Sequence, residues 1–154
     1  MSAPEPTAGG WVALTVGLDV VHLPAFARQL ETPGSRFVQR AFTARERAQT
    51  ARGAGPPAER LAGLWAAKEA TVKALSAIRA GQPPLRDTLP WDAIEVVHDA
   101  WGRPTVHLRG AAASLATQLG VVGLSVSISH DGPVVAAVVV ATHTRRNPDA
   151  ERGG

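Results

Sequence analysis

Residues 61–75, L-A-G-L-W-A-A-K-E-A-T-V-K-A-L, constrain this chain more than any other stretch. They are dense in strong helix formers and hold no Gly or Pro after Gly63. Leu61, Leu64, Trp65, Val72 and Leu75 recur at helical spacing, which predicts a long central helix with one buried stripe. Lys68, Glu69 and Lys73 interrupt the apolar run. Glu69 and Lys73 stand one turn apart and project from one face. Among 16 Lys and Arg residues, only Lys68 and Lys73 are Lys. Arg offers a planar, permanently charged fork, whereas Lys offers a compact ammonium on a flexible stem. Keeping the lysines in one helix suggests a task for a point charge. Taken alone, Glu69 and Lys73 also fit a solvated ion pair worth about 0.2–0.5 kcal/mol. Other parts of the chain must supply partners before the pair means more.

A chain of 154 residues with 45% hydrophobic content is long enough for one domain with a proper core. No apolar run approaches the roughly 20 residues of a membrane span. Residues 1–10 lack the basic start and apolar centre of a signal peptide. The expectation is a soluble, cytoplasmic protein with no membrane partner. The absence of Cys excludes disulfides and thiolate metal sites. A net charge of +3 suits an anionic partner: nucleic acid, a phosphorylated cofactor or an acidic protein. Aromatics are only 5%, with no Tyr, which counts against a nucleic-acid binder that stacks bases.

Residues 1–10 read as a flexible arm and 11–21 as a buried strand with two oddities, Gly17 and Asp19. A carboxylate there is costly unless it is paired, caps a helix or holds a cation. Pro24 suits the first turn of a helix running to Leu30. After a break at 31–35, a short helix at 36–42 puts Phe37, Val38, Ala41 and Phe42 toward the core. Thr43 and Glu46 fit a capping box for the next helix. Residues 52–57 form a loop, and Pro57 opens the central helix. Between 28 and 60 lie seven Arg against three Glu, either a solvated face or a dock for an acidic partner. Farther on come an irregular stretch at 82–90, strands at 94–98 and 105–108, and a helix at 110–119. The turn between the strands has a mechanism: Gly102 permits a positive φ, and Pro104 fixes the chain after Arg103. A half-buried strand at 124–130 turns at Asp131-Gly132 into a strand at 134–141. The chain thus reads as α+β, with an arm at 1–10, one domain at 11–142 and a flexible tail at 143–154.

Ser129-His130 invites a nucleophile reading, but adjacent strand residues point to opposite faces. The five His show no zinc-site spacing, and the usual Gly-rich phosphate loops are absent. Asp19, Glu69, two Lys, Arg103 and His130 remain. Two carboxylates without His or Cys suit Mg²⁺, which completes its shell with water and substrate phosphate. Lys and Arg suit the phosphate oxygens, so the residues point to Mg²⁺-dependent phosphoryl chemistry.

Four segments carry a resemblance: Gly17-Leu18-Asp19-Val20-Val21, then W-A-A-K-E-A-T-V-K-A from Trp65, Gly102-Arg103-Pro104, and Ser127-Ile128-Ser129-His130. In order and spacing they resemble holo-acyl-carrier-protein synthase, the small 4′-phosphopantetheinyl transferase. The resemblance implies an antiparallel sheet packed against the central helix, in a homotrimer with sites at subunit boundaries. It implies transfer of 4′-phosphopantetheine from coenzyme A to a serine of an apo acyl carrier protein, releasing adenosine 3′,5′-bisphosphate. By the same resemblance Asp19 and Glu69 hold Mg²⁺ on the pyrophosphate, and Lys73 neutralises charge as the bond breaks. Glu69, or a water on the metal, takes the serine proton. Lys68, Lys73, Gly102, Arg103, Pro104, Ser129 and His130 line the coenzyme A site, and Arg28, Arg36 and Arg40 dock the acidic carrier. Leu64 stands where the family usually has an Arg that binds coenzyme A phosphate, and Arg60, one turn earlier, is the candidate substitute. The alternative is a transferase-like module that binds a carrier protein or coenzyme A without turnover.

Overall fold

The computed structural model describes residues 10–85 and 88–146. Of the arm expected at 1–10, only Gly10 falls within them. The elements in chain order are β1 (Gly10–His22), α1 (Leu23–Leu30), α2 (Phe37–Ala41), α3 (Ala44–Arg52) and α4 (Pro57–Ile78). A single 3-10 turn, Trp91–Ala93, leads to β2 (Ile94–His98), β3 (Pro104–Leu108), α5 (Gly110–Gln118), β4 (Val121–Asp131) and β5 (Val134–Arg146).

Local chemistry sets several of these boundaries. Pro24 sits in the first turn of α1, where its missing N–H costs nothing. Thr43 accepts a bond from the Glu46 N–H at 3.2 Å, and the Glu46 carboxylate accepts from the Thr43 N–H at 2.7 Å, closing the expected capping box. Gly102 has φ +80, which the turn between β2 and β3 requires.

The central helix is more enclosed than one stripe. Leu61, Leu64, Val72 and Leu75 are buried, and so are Ala62, Ala66, Ala67, Ala70 and Ala74 on the other side. Both sides are covered because the sheet packs on one and α1, α3 and β2 on the other. The small residues let backbones come close. A Cβ built at Gly17 would overlap the Ala70 carbonyl oxygen and stand 2.6 Å from the Ala74 nitrogen, so only glycine lets β1 run this near α4. The Thr15 hydroxyl donates to the Ala74 carbonyl at 2.8 Å along the same seam. On the far side Phe26, Phe37, Phe42, Trp65 and Trp91 form a chain of edge-on and tilted ring contacts that pins α1 and α2 to α4.

The three-stranded sheet is antiparallel with the order β1-β5-β4, and β2 and β3 form a separate hairpin. β5 runs to Arg146 and pairs with β1 along its whole length, Gly10 opposite Arg146. This corrects the tail expected at 143–154 as far as 146, where polar residues still carry a backbone ladder; 147–154 lie outside the described residues. A second correction concerns β1. Thr15, Gly17 and Asp19 turn toward α4, but Val12, Leu14, Val16, Leu18 and Val20 face outward and are 56–64% exposed. A strand apolar on both faces reads as buried, yet this chain covers only one face.

Candidate functional site

β1 and α4 bring Asp19 and Lys73 together. Gly17 sets the close approach, and Asp19 lies two residues on along the same face. The Lys73 ammonium donates to Asp19 Oδ1 at 2.8 Å and to the Leu18 carbonyl at 2.8 Å. Glu69 is half-buried one turn earlier on α4, so helix geometry sets it beside Lys73. The Lys73 side chain is 51% exposed. The Asp19 side chain is only 16% exposed, so the carboxylate sits under the edge of the sheet and meets solvent through its lysine partner. Asp19 and Lys73 thus form an ion pair open at its lysine end, and helical spacing sets the Glu69 carboxylate one turn from Lys73.

Lys68 is not at this site. It is fully buried, and all three of its N–H groups are committed: to Glu46 at 2.9 Å, to the Trp91 carbonyl at 2.9 Å and to the Ile94 carbonyl at 2.6 Å. Its ammonium also lies 5.5 Å from the Phe42 ring centre. Burial pushes its pKa below 10.5, and Glu46 works against that shift. Glu46 in turn accepts from the Val96 N–H at 2.8 Å, and neighbouring Glu95 accepts from the Thr43 hydroxyl at 2.8 Å and pairs with Arg109. The expected cofactor contact of Lys68 is therefore replaced by a structural one, tying α4 to α3 and β2.

A second feature is a cavity of about 740 Å³ between α3, α4, the β2–β3 hairpin and the end of β4. Gly102, Pro104, His130 and Arg60 line it, together with Leu64. Arg103 stands outside the lining. Its guanidinium donates to Asp99 at 2.6 Å and lies over the exposed Trp101 ring at 5.2 Å. Asp99 also accepts from the N–H groups of Trp101 and Arg103 at 2.8 and 2.9 Å. These bonds, first that from the Arg103 backbone, hold the Asp99 carboxyl below its ordinary value. Asp99 and Glu59 line the cavity and were not singled out from the sequence. An Asp two residues before Trp101-Gly102 is an Asx-turn signal that identifies the first. Glu59 stands 3.6 Å from His130 Nδ1, a contact across distant segments with no local signature.

Arg60 lines the cavity but does not present its fork to it. Nε donates to the Thr50 carbonyl at 3.0 Å, and the terminal nitrogens donate to the carbonyls of Gly55, at 2.6 Å, Ala54 and Thr50. Arg60 clamps the loop between α3 and α4. Ser129 is likewise displaced from the cavity. It pairs with Ala136 on the open face of the sheet, while Ile128 and His130 on the opposite face line the cavity. Asp19, Glu69 and Lys73 do not line the cavity either. Arg28 on α1, Arg36 just before α2 and Arg40 on α2 are exposed, with no acidic partner among the described residues.

Two carboxylates offer hard oxygen donors and no His or Cys, the donor set Mg²⁺ takes when substrate phosphate and water fill the remaining positions. Among the described residues no group of three His, Asp or Glu gathers to hold a metal unaided. A metal that keeps most of its positions for other ligands fits such a pair.

Residues 15–139 match the family described as the 4′-phosphopantetheinyl transferase superfamily. Holo-[acyl-carrier-protein] synthase of Corynebacterium efficiens is 46% identical over 137 residues, covering 84% of this chain and 94% of that one. The synthase of Mycobacterium tuberculosis is 44% identical over 128 residues, covering 81% and 93%. A solved ACPS–CoA complex from Chronobacterium ammoniagenes superposes with a TM-score of 0.79 at 43% identity, over 86% of this chain and 99% of that one.

Proposed function

Because this chain belongs to the 4′-phosphopantetheinyl transferase superfamily, we infer that it moves 4′-phosphopantetheine from coenzyme A to a serine of an apo acyl carrier protein. The reaction joins the serine oxygen to the phosphorus that carries pantetheine and breaks that phosphorus's bond to the bridging oxygen. Adenosine 3′,5′-bisphosphate leaves. The observation that carries the reading is the Asp19–Lys73 contact with Glu69 one turn away. Phosphoryl transfer asks a protein for positioning and charge compensation rather than a covalent intermediate.

Asp19 and Glu69 would hold Mg²⁺, which supplies charge neutralisation on the pyrophosphate. Lys73 keeps a donor for a phosphate oxygen beyond its two bonds to β1. Glu69 takes the serine proton. The cavity lined by Gly102, Pro104 and His130 receives the nucleotide end of coenzyme A. Arg28, Arg36 and Arg40 form an accessible basic face for an acidic carrier, held in place by the aromatic chain beneath it. No helix among the described residues is long and apolar enough to cross a membrane. We place the reaction in the cytoplasm.

The working unit is a homotrimer. Two observations favour this: the open apolar face of β1, and the separation of the charged cluster from the cavity within one chain. Five outward apolar residues in a row are more than a solitary sheet face carries. In such an assembly a cavity of one chain would serve the cluster of another. Sedimentation of the native chain should give a three-chain mass. Val16→Arg, which puts a charge in the centre of that face, should give monomers and lose transfer. A native monomer with full activity removes the assembly.

The reading is tested by incubating the chain with coenzyme A, Mg²⁺ and an apo acyl carrier protein and weighing the carrier intact. A gain of one phosphopantetheine group supports it. An unmodified carrier that nevertheless forms a complex with the chain supports the binding module instead.

A further inference from the structure

A pocket for a polyanionic nucleotide needs a cation with donors to offer, and the charge balance of this cavity leaves one. Its ionisable lining residues are Arg52, Glu59, Arg60, His98, Asp99 and His130. Glu59 and Asp99 are acids and repel phosphate. His98 is pushed below its ordinary pKa by burial, which favours the neutral ring. His130 faces Glu59. Arg60 has committed its guanidinium to the carbonyls of Thr50, Ala54 and Gly55. Leu64 adds only apolar surface.

Arg52 differs from all of these. It is the last residue of α3, exposed, and lines the cavity beside Gly53 and Ala54. Its one side-chain hydrogen bond among the described residues runs from Nε to the Ala48 carbonyl at 3.2 Å. The four N–H donors on its terminal nitrogens stay available, in the planar fork that matches phosphate oxygens. The clamp by Arg60 fixes the loop that follows: a Cβ at Gly53 would stand 2.9 Å from Arg60 Nε. Arg60 thereby holds the chain just after Arg52 at the cavity wall.

Resting on the transferase reading, we propose that Arg52 binds the phosphate on the ribose of coenzyme A, and that Arg60 acts as a positioning residue for the loop carrying it. The ribose phosphate is the assignment because the pyrophosphate belongs with Asp19, Glu69 and Lys73, which lie outside this cavity.

The test compares coenzyme A with 3′-dephospho-coenzyme A as donors, using native chain, Arg52→Ala, Arg52→Lys and Arg60→Ala. For Arg52→Ala, KM for coenzyme A should rise about tenfold, the size of one charge-assisted contact at an open site. KM for the dephospho donor should stay at the native value, and kcat should hold for both donors. Arg52→Lys should recover part of the loss. Arg60→Ala should raise KM for both donors, because it loosens the wall rather than deleting one phosphate contact. An unchanged KM for coenzyme A in Arg52→Ala, or an equal rise for both donors, overturns the assignment. Failure of the native chain to transfer from either donor would instead remove the transferase reading itself.

Discussion

Glu69→Gln is expected to lower phosphopantetheine transfer roughly 10²–10⁴-fold, the range lost when a group that handles a proton in the transition state is removed. The fold should persist. Glu69 is half-buried on the outward side of α4, and Gln keeps its volume and hydrogen-bonding reach. The helix pair with Lys73 accounts for about 0.5 kcal/mol of stability. In the proposed reaction the loss is larger, because one of the two carboxylates assigned to the metal becomes neutral and the serine proton loses its assigned base. Transfer rate and circular dichroism measured on the same sample decide between roles. Retained transfer takes Glu69 out of the reaction, and loss of helical signal makes it structural.

Lys68→Met should leave the reaction centre alone and strike stability. It deletes a fully buried ammonium and leaves the Glu46 carboxylate, also fully buried, without its countercharge. Breaking such a pair from one side costs about 3–5 kcal/mol. Glu46 keeps its bonds from the Thr43 and Val96 N–H groups, which places the cost toward the lower end of that range. The double variant Lys68→Met, Glu46→Gln should lose less than the two single variants summed, since it removes both charges. The pH dependence has a definite sign. Burial lowers the Lys68 pKa in the folded chain, so as pH rises toward 10.5 the unfolded chain binds more protons at this residue than the folded one. Lys68 therefore makes stability rise with pH across that window, and Lys68→Met should flatten the rise. Thermal melts at a series of alkaline pH values check both points. A melt unchanged from the native chain, with transfer lost, would return Lys68 to the substrate.

These two variants also mark where the sequence is informative. The capping box of α3, the proline starts of α1 and α4, and the Gly102 and Asp131-Gly132 turns are written in neighbouring residues, and all form as read. The fold class followed from them. Lys68 reads like Lys73, because periodicity does not identify the residue a buried ammonium will meet. Its partners, Glu46 and the carbonyls of Trp91 and Ile94, come from three distant segments. Arg60 was hidden for the same reason: its partners are backbone carbonyls, which have no residue signature. β1 illustrates a third case. Apolar residues on both faces require both to be covered, but the pattern does not reveal whether this chain or another copy covers the second. Asp19 was legible because a carboxylate in such a strand needs a partner, and Lys73 provides one.

The central claim is that Asp19 and Glu69, fifty residues apart, act as one seat for a divalent cation beside Lys73. Binding of Mn²⁺ as a probe for Mg²⁺, followed by the loss of its free-ion paramagnetic resonance signal in the presence of coenzyme A, tests it without turnover. The native chain should bind the ion, and Asp19→Asn and Glu69→Gln should each weaken binding by about tenfold or more, a loss of at least about 1.4 kcal/mol. Native affinity in both variants would contradict the account.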